Sequence, residues 1–558
     1  MAGTVRAIAV DLDGTIAQHN RVSEAALGAL SEARGDGAAT LLVTGRTLAG
    51  LDAQFPGLRE SFDVVVAENG AVMQRGNAIR DLADPLGRVL SHHLTTAGID
   101  HVVGRVIVAC SAEDDHRVQV VLAERGLDPH LVRNRTELMS IPAGISKGTG
   151  LLVGLHELGL SRHNTIAFGD AENDLSLLHA AEIGVAVANA LPSVKAAADL
   201  VTDAPNGDGV AALLRGPITR GLRPLNLERH RIRIGDFTTG GEATVPGAQA
   251  NVLIKGESGT GKSYLAGLLV ERWISAGYRA VVVDMEGDYV GLGQLSDVVV
   301  LNGRNSPPSR ELSALLRRAG ASVVLDLSDM PRDAVDGYLR ELATLVREER
   351  AAWGMPHWLL VDEAHDSLGS HGALADLVRA SGLGHCIVTY RPDALDRAIF
   401  AAIDITLTPC RSPAALRDGQ GPCAILVEPG EEERRVRLDH RRTRHVRHWH
   451  KYTAEVLPQD HWFDFRSSTG DVVASARNVA EFVTLLRSVD PHVVAAHLNR
   501  GDLSQWLLGS LGDRALASVV AAAEQDLLAA HAVAIDRARN AVIDAIERFY
   551  WFGEEHPG

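Results

Sequence analysis

Short β-branched runs alternate with helical stretches twice along this chain, and in both blocks several runs end on residue types that handle phosphate. The first block, AIAVDLD, ATLLVTGR, DVVVAENG, NTIAFGD and IGVAVANA, ends near residue 203. That rhythm is the signature of a parallel sheet with crossover helices, so one doubly wound domain is expected over residues 1–214. Between about residues 76 and 142 the order changes to helix, strand, helix, strand, which predicts an inserted α+β lid. The second block, NVLIKG, RAVVVDMEG, SVVLDLS, HWLLVDEA and HCIVTYR, predicts a second parallel α/β domain over residues 231–450, with 215–230 as the turn-rich join. Beyond Tyr452 strand signals nearly vanish and Ala/Leu-rich helical periodicity dominates, so residues 451–558 are expected to form an α-helical accessory domain. The expected fold class is α/β multidomain.

Composition narrows the function classes. The 558 residues are 46% hydrophobic and 23% charged, the make-up of ordinary globular protein rather than of disorder, collagen or coiled-coil rod. A formal charge of 55 − 71 = −16 advertises no domain-wide basic field for nucleic acid or an acidic membrane. Only five of the basic residues are lysines, so a lysine's position is informative, and two of the five, Lys147 and Lys262, stand in catalytic-looking motifs. Four cysteines with no CxxC pair argue against a disulfide framework or zinc ribbon and read as a reducing cytosol. The amino terminus has too short an apolar stretch for a signal core, and no run approaches a membrane span.

The string DLDGT puts Asp11 and Asp13 directly after the apolar run AIAV, at the carboxyl end of a buried strand where open α/β sheets bind ligands. One carboxylate can attack phosphorus while the second protonates the leaving oxygen and later activates water. The next apolar run ends at Thr44, Gly45 and Arg46, offering a hydroxyl and a backbone amide to a phosphoryl oxygen. Lys147, in GISKGTGL, can neutralise a pentacoordinate transition state, and GDAENDLSLL supplies Asp170 and Asp174 for Mg²⁺.

This set resembles the haloacid dehalogenase superfamily, in particular its Cof-type branch with sugar-phosphate and phosphoglycolate phosphatases, over about residues 5–214. AENGA, VAVANA and NGDGVAALL support the likeness. The resemblance implies a Rossmann-like parallel sheet with a small α+β cap. It implies Asp11 as nucleophile, Asp13 as general acid/base, Thr44 and Lys147 as phosphate holders and Asn173 as an orienting group. Asp170 and Asp174, with Asp11 and Asp13, would form the magnesium side. The substrate would be a small phosphorylated metabolite read by the lid, where Arg105, His116 and Arg117 are either an anion-reading set or a solvated face.

GESGTGKS, residues 256–263, follows the strand NVLI and precedes a helix, the context that turns the GxxxxGK[ST] pattern into a phosphate cradle. Gly256, Gly259, Thr260 and Gly261 let backbone amides wrap the phosphates of ATP, Lys262 reaches the β and γ oxygens, and Ser263 ligates Mg²⁺. One hundred residues on, WLLVDEAH places Asp362 for Mg²⁺ and Glu363 for polarising the attacking water. With VVVDMEGDY and CIVTYRP, these motifs look like the HerA/FtsK group of P-loop ATPases over roughly residues 231–427. The resemblance implies a RecA-like domain, hexameric rings that are often DNA motors, and an arginine from a neighbouring subunit. Where that group commonly has Gln, this chain has Tyr390, whose phenol cannot reproduce an amide's paired donor and acceptor. Asp284, Glu286 and Asp288 read as an acidic turn beside the nucleotide.

The stretch 434–452 concentrates eight Arg and Lys residues with four histidines. It is either a phosphate-backbone contact or a strand and helix start with a solvated face; His445, His448 and His450 lack zinc-site spacing. In the tail, His497, Asp502 and Trp506 are explained by a helix cap at Asp502 and a core-packed Trp506. The whole reads as a two-headed enzyme, a Mg²⁺-dependent phosphatase joined to an ATPase. For the second head a DNA ring motor, a switch that assembles the phosphatase, and a kinase remain open, against a non-enzymatic scaffold.

Overall fold

A computed structural model describes residues 5–134, 136–217, 227–257, 260–302, 309–317, 321–410, 422–443, 457, 459–467, 469–510, 514–528 and 534–549. Gly259, the join over 218–226 and the histidines at 445, 448 and 450 lie outside them.

The first sheet has eight strands. Six are parallel, in the spatial order Leu200–Val201, Ile183–Ala186, Thr165–Gly169, Ala7–Val10, Ala39–Val43 and Val64–Ala67. Val72–Arg75 and Ala78–Asp81 add an antiparallel edge. Every residue of Ala7–Val10 and Thr165–Gly169 is buried, as central parallel strands covered on both faces must be. The lid is a separate four-stranded antiparallel sheet, His130–Asn134, Glu137–Ile141, Val108–Ser111 and His101–Val103, with helices Gly87–Thr96 and Asp115–Arg125 on it. It therefore begins later than residue 76, because Ala78–Asp81 pairs with the core sheet.

The second sheet has eleven strands. Seven are parallel, in the order Ile405–Pro409, Asn251–Lys255, His385–Thr389, Trp358–Val361, Ala280–Asp284, Ser322–Asp326 and Val298–Asn302. Cys423–Val427, Arg434–Leu438, Arg231–Phe237 and Glu242–Pro246 extend it antiparallel at one edge. The start of the basic stretch is thus a sheet strand whose Val436 is fully buried. On one face the ring of Trp273, from helix Lys262–Ser275, stacks on Trp358 at 3.8 Å and 14°. Both indoles donate to backbone carbonyls, Trp273 to Pro246 and Trp358 to Gly247.

The two sheets meet at the amino ends of their strands. Arg6, just before Ala7–Val10, donates to the carbonyl of Arg350, and Asn164, just before Thr165–Gly169, donates to that of Gly354. Tyr278, two residues before Ala280–Asp284, donates its hydroxyl to Glu182, which precedes Ile183–Ala186. Parallel sheets joined by their amino ends carry their carboxyl ends, where ligands bind, facing away from each other.

The tail differs from an all-helical unit. It opens with the hairpin Phe463–Arg466 and Val472–Ala476, and five helices follow from Val479–Ser488 to Ala534–Phe549. Phe463, Phe465, Phe482 and Trp506 pack as one aromatic core. Asp502 does not cap a helix: Gly501 takes that position, and the Asp502 carboxylate accepts from the His497 ring at 2.6 Å and from Arg500. Among the described residues, no helix is long and apolar enough to cross a membrane.

Trp273→Ala removes a fully buried indole and its hydrogen bond, so the second domain should lose about 3–5 kcal/mol in urea unfolding. A loss under about 1 kcal/mol would contradict the stacked packing.

Candidate active sites

The Asp11 amide donates to the carbonyl of Phe168, the last rung between two central strands, and the side chain leaves the ladder at its carboxyl edge. Lys147 opens the helix Lys147–Leu158, whose amino end is fixed by a reciprocal Ser146/Thr149 capping box. Its ammonium donates to Asp11 at 2.6 Å and to Asp174 at 2.5 Å, and all three side chains are buried. The other Asp174 oxygen accepts the amides of Asp170 and Ala171, while Thr15 donates to Asp170. One cation thus serves two of the three carboxylates. Burial and the neighbouring charges of Asp174 and Asp170 push the Asp11 pKa well above the ordinary range, against the pull of Lys147. Burial also pulls the Lys147 pKa down, but Asp11 and Asp174 more than reverse it.

Thr44 is buried just past the neighbouring strand Ala39–Val43, its hydroxyl accepting the Arg46 amide at 3.2 Å. Asn173 donates to Asn69 at 3.2 Å and leaves its own side-chain oxygen buried without a hydrogen-bond partner. Asp13 does not join the cluster. Its half-exposed carboxylate is gripped by Arg46 at 2.6 and 2.8 Å and stands apart from the three clustered carboxylates. Asp11, Asp170 and Asp174 place ligand oxygens within 4.8 Å of one another, a hard-oxygen donor set that suits Mg²⁺ and whose mutual repulsion a divalent ion would relieve.

Two contributions escaped the sequence reading. Arg46 is a side chain of the site and not only an amide, as its grip on Asp13 shows. Glu68, fully buried with left-handed backbone (φ 54°), accepts the amides of Arg105, Val106 and Ile107 and so ties the lid to the core. AENGA was its signal. Arg105 and Arg117 are spent on Asp81 and Asp114. Met139 of the lid approaches Gly45, its thioether 3.6 Å from where a Cβ there would stand.

In the second sheet, Gly256 and Gly261 flank the loop, and Gly261 (φ 98°) takes the left-handed turn into helix Lys262–Ser275. Thr260 donates to the Glu257 carbonyl at 2.8 Å, and Lys262 donates to it at 3.1 Å. Ser263 follows on the first helical turn. Asp362 and Glu363 leave the strand Trp358–Val361, separated from the loop's strand only by His385–Thr389. Asp362 is buried with one oxygen lacking a hydrogen-bond partner. Burial, then Asp288, Asp284, Glu363 and Glu286, push its pKa well above the ordinary range, so the residues present fit a divalent ion. Glu363 adopts a left-handed backbone (φ 44°, ψ 46°) that turns it off the strand. Asp284 accepts four amides, of residues 286–289, which makes it the organiser of its turn. Tyr390 is exposed beside these groups, its ring 4.5 Å from that of His365 and 6.0 Å from the Lys262 ammonium.

Residues 8–93 and 131–214 match the family model of haloacid dehalogenase-like hydrolases. The phosphoglycolate phosphatase of Methanothermobacter thermautotrophicus is 33% identical over 224 residues, covering 38% of this chain and 98% of that protein. The chain belongs to the haloacid dehalogenase-like hydrolases. A second relative within that family, the phosphoglycolate phosphatase of Archaeoglobus fulgidus, is 32% identical over 38% of this chain and 96% of its own. A solved haloacid dehalogenase-like hydrolase from Bacteroides thetaiotaomicron is 23% identical, with a TM-score of 0.34, over 38% of this chain and 98% of that one. Residues 248–351 match the model of the helicase HerA central domain. That match takes in the phosphate loop and Asp284 and ends before Asp362. This hydrolase therefore carries a HerA-type domain behind its haloacid dehalogenase-like one.

The Asp11 carboxylate is harder to ionise in the folded protein than in the unfolded chain, so metal-free protein loses stability as pH rises above the ordinary aspartate range. Asp11→Asn should therefore raise the stability of chelator-treated protein at neutral pH by about 0.5–2 kcal/mol, read from its thermal midpoint. An unchanged or lowered midpoint would mean that Lys147 already compensates the charge.

Proposed function

We propose that the first domain hydrolyses a small phosphomonoester, of the phosphoglycolate class that its relatives' names record, through an aspartyl-phosphate on Asp11. The observation that carries this reading is the Lys147 ammonium bridging Asp11 and Asp174 beside Asp170. Asp11, with its strand fixed by neighbours on both sides, is positioned to attack phosphorus, forming the Asp11–phosphorus bond as the ester bond breaks. Lys147 offsets charge on the phosphoryl oxygens, and Thr44 offers them a hydroxyl. Asp13 hands a proton to the leaving oxygen and then takes one from the water that cleaves the acyl-phosphate, so Arg46 has to loosen its grip during the cycle. Asn173 orients the bound group through its side-chain NH₂, the part of the amide that can donate to a phosphoryl oxygen. Mg²⁺ held by Asp11, Asp170 and Asp174 would supply charge stabilisation to the transferring phosphoryl oxygens.

The second, RecA-like domain in this reading binds ATP at residues 256–263 and hydrolyses it. Lys262 leaves the Glu257 carbonyl for the β and γ oxygens, Ser263 and Asp362 hold Mg²⁺, and Glu363 orients water. Direct transfer of a phosphoryl group between the two heads is disfavoured, since their carboxyl ends face apart. A ring assembly acting on DNA fits the HerA-type match better than a kinase does.

Asp11→Asn should abolish Mg²⁺-dependent phosphate release from phosphoglycolate and para-nitrophenyl phosphate, together with the hydroxylamine-sensitive phosphoprotein trapped from the parent by acid quench. Full activity in that variant would remove the aspartyl-phosphate route. Lys262→Ala should end ATP turnover while phosphatase activity stays within about twofold, as expected of distant sites. Parallel loss of both activities in a folded protein would show tight coupling instead.

A further inference from the structure

A second group of metal-ligating side chains lies at the joint between the two sheets, far from either carboxyl edge. His163 sits in the turn Arg162–Asn164 before strand Thr165–Gly169, Glu182 stands just before Ile183–Ala186, and His230 ends the turn Glu228–His230 that leads into the second sheet. Their ligand atoms lie within 4.8 Å of one another, with His163 Nδ1 at 2.7 Å and His230 Nδ1 at 3.6 Å from the same Glu182 oxygen, Oε2. His163 and Glu182 are buried and His230 is nearly so.

The hydrogen bonds around the group show what a cation would displace. Arg162 Nε donates to His163 Nε2 at 3.3 Å and His163 Nδ1–H donates to Glu182 Oε2 at 2.7 Å; a cation between Nδ1 and Glu182 would take that proton's place, with the Nε2–H then donating to the Ala276 carbonyl at 3.1 Å. Tyr278 stacks on the His163 ring at 3.8 Å and donates its hydroxyl to Glu182, the outer-shell support that orients a ligating carboxylate. His230 Nε2 is buried with no hydrogen-bond partner. The competing charge is Arg162, whose Nε lies 3.3 Å from His163 Nε2 and whose other nitrogen donates to Ala276. Arg229 is occupied by Asp199 and by the carbonyls of residues 178, 179, 181 and 182. His357 stands with its ring 5.7 Å from that of His163 and donates its Nε2–H to Asn164 Oδ1.

We propose that His163, Glu182 and His230 form a structural site for a zinc-class ion that fastens the end of the interdomain connector to the strand ends of the first sheet, under Tyr278 of the second. Two imidazoles and one carboxylate are the donor set that zinc takes, whereas the all-oxygen cluster at Asp11 suits magnesium. An ion here would pin residue 230 to residues 163 and 182 and, through the Tyr278 hydroxyl on Glu182, stiffen the contact between the two heads.

The test uses the full chain, stripped with chelator and re-equilibrated with zinc in excess Mg²⁺, with bound zinc measured by plasma mass spectrometry after desalting. The site predicts one zinc per chain and a raised thermal midpoint. Asp11→Asn should keep that zinc, while His230→Gln and Glu182→Gln, checked for folding by circular dichroism, should each weaken uptake about tenfold or more. Tetrahedral cobalt absorption should appear in the parent protein and fade in those variants. Absence of zinc uptake by the parent chain would overturn the site, leaving the joint held by a proton shared between His163 and Glu182. Uptake unchanged in both variants would overturn it equally.

Discussion

The first domain depends on one buried ammonium. Lys147 occupies the opening turn of a helix, where the helix dipole disfavours positive charge, and it is almost completely removed from water. Such a placement is tolerable only because Asp11 and Asp174 meet it from two neighbouring strand ends. The same contact keeps two of three crowded carboxylates from facing one another uncompensated. Fold and chemistry are therefore joined at that point: the strands must end in register and the helix must start beside them, or the charges would be stranded. The close packing of Gly70 against the Ser146 carbonyl, where a Cβ would stand 1.9 Å away, holds that start in place.

The second sheet repeats the logic with different parts. A buried carboxylate at a strand end, Asp362, keeps one oxygen without a hydrogen-bond partner, and its raised pKa marks the charge still to be compensated. Because the two sheets join at their amino ends, each site opens to its own side of the molecule. Communication between them would have to run through the joint of Arg6, His163, Asn164, Glu182 and Tyr278, not through a shared cleft.

Much of this was legible from pattern. Buried parallel strands are written as continuous β-branched runs, so AIAV, ATLLV, NVLIK and WLLV announced both sheets, and the acidic or glycine-rich residues after them announced where phosphate would sit. Lys147 could be picked out because lysine is rare here. The failures have equally physical causes. The hairpin Phe463–Arg466 and Val472–Ala476 is short, so the alternation of its first strand spans too few residues to stand out against the helices that follow. Asp502 looked like a cap because that residue type caps helices, but His497 claimed its carboxylate from the turn before.

The sequence alone determined the two parallel sheets, the membership in a phosphate-handling hydrolase family and the identity of the groups at the strand ends, since all of these follow from local order along the chain. Only the tertiary structure decided that Arg46 closes on Asp13, that Glu68 tethers the lid, and that the two heads stand back to back around His163, Glu182 and Tyr278. Those contacts join residues as few as 19 and as many as 96 positions apart. No periodicity encodes them, because they arise from how whole elements pack once formed.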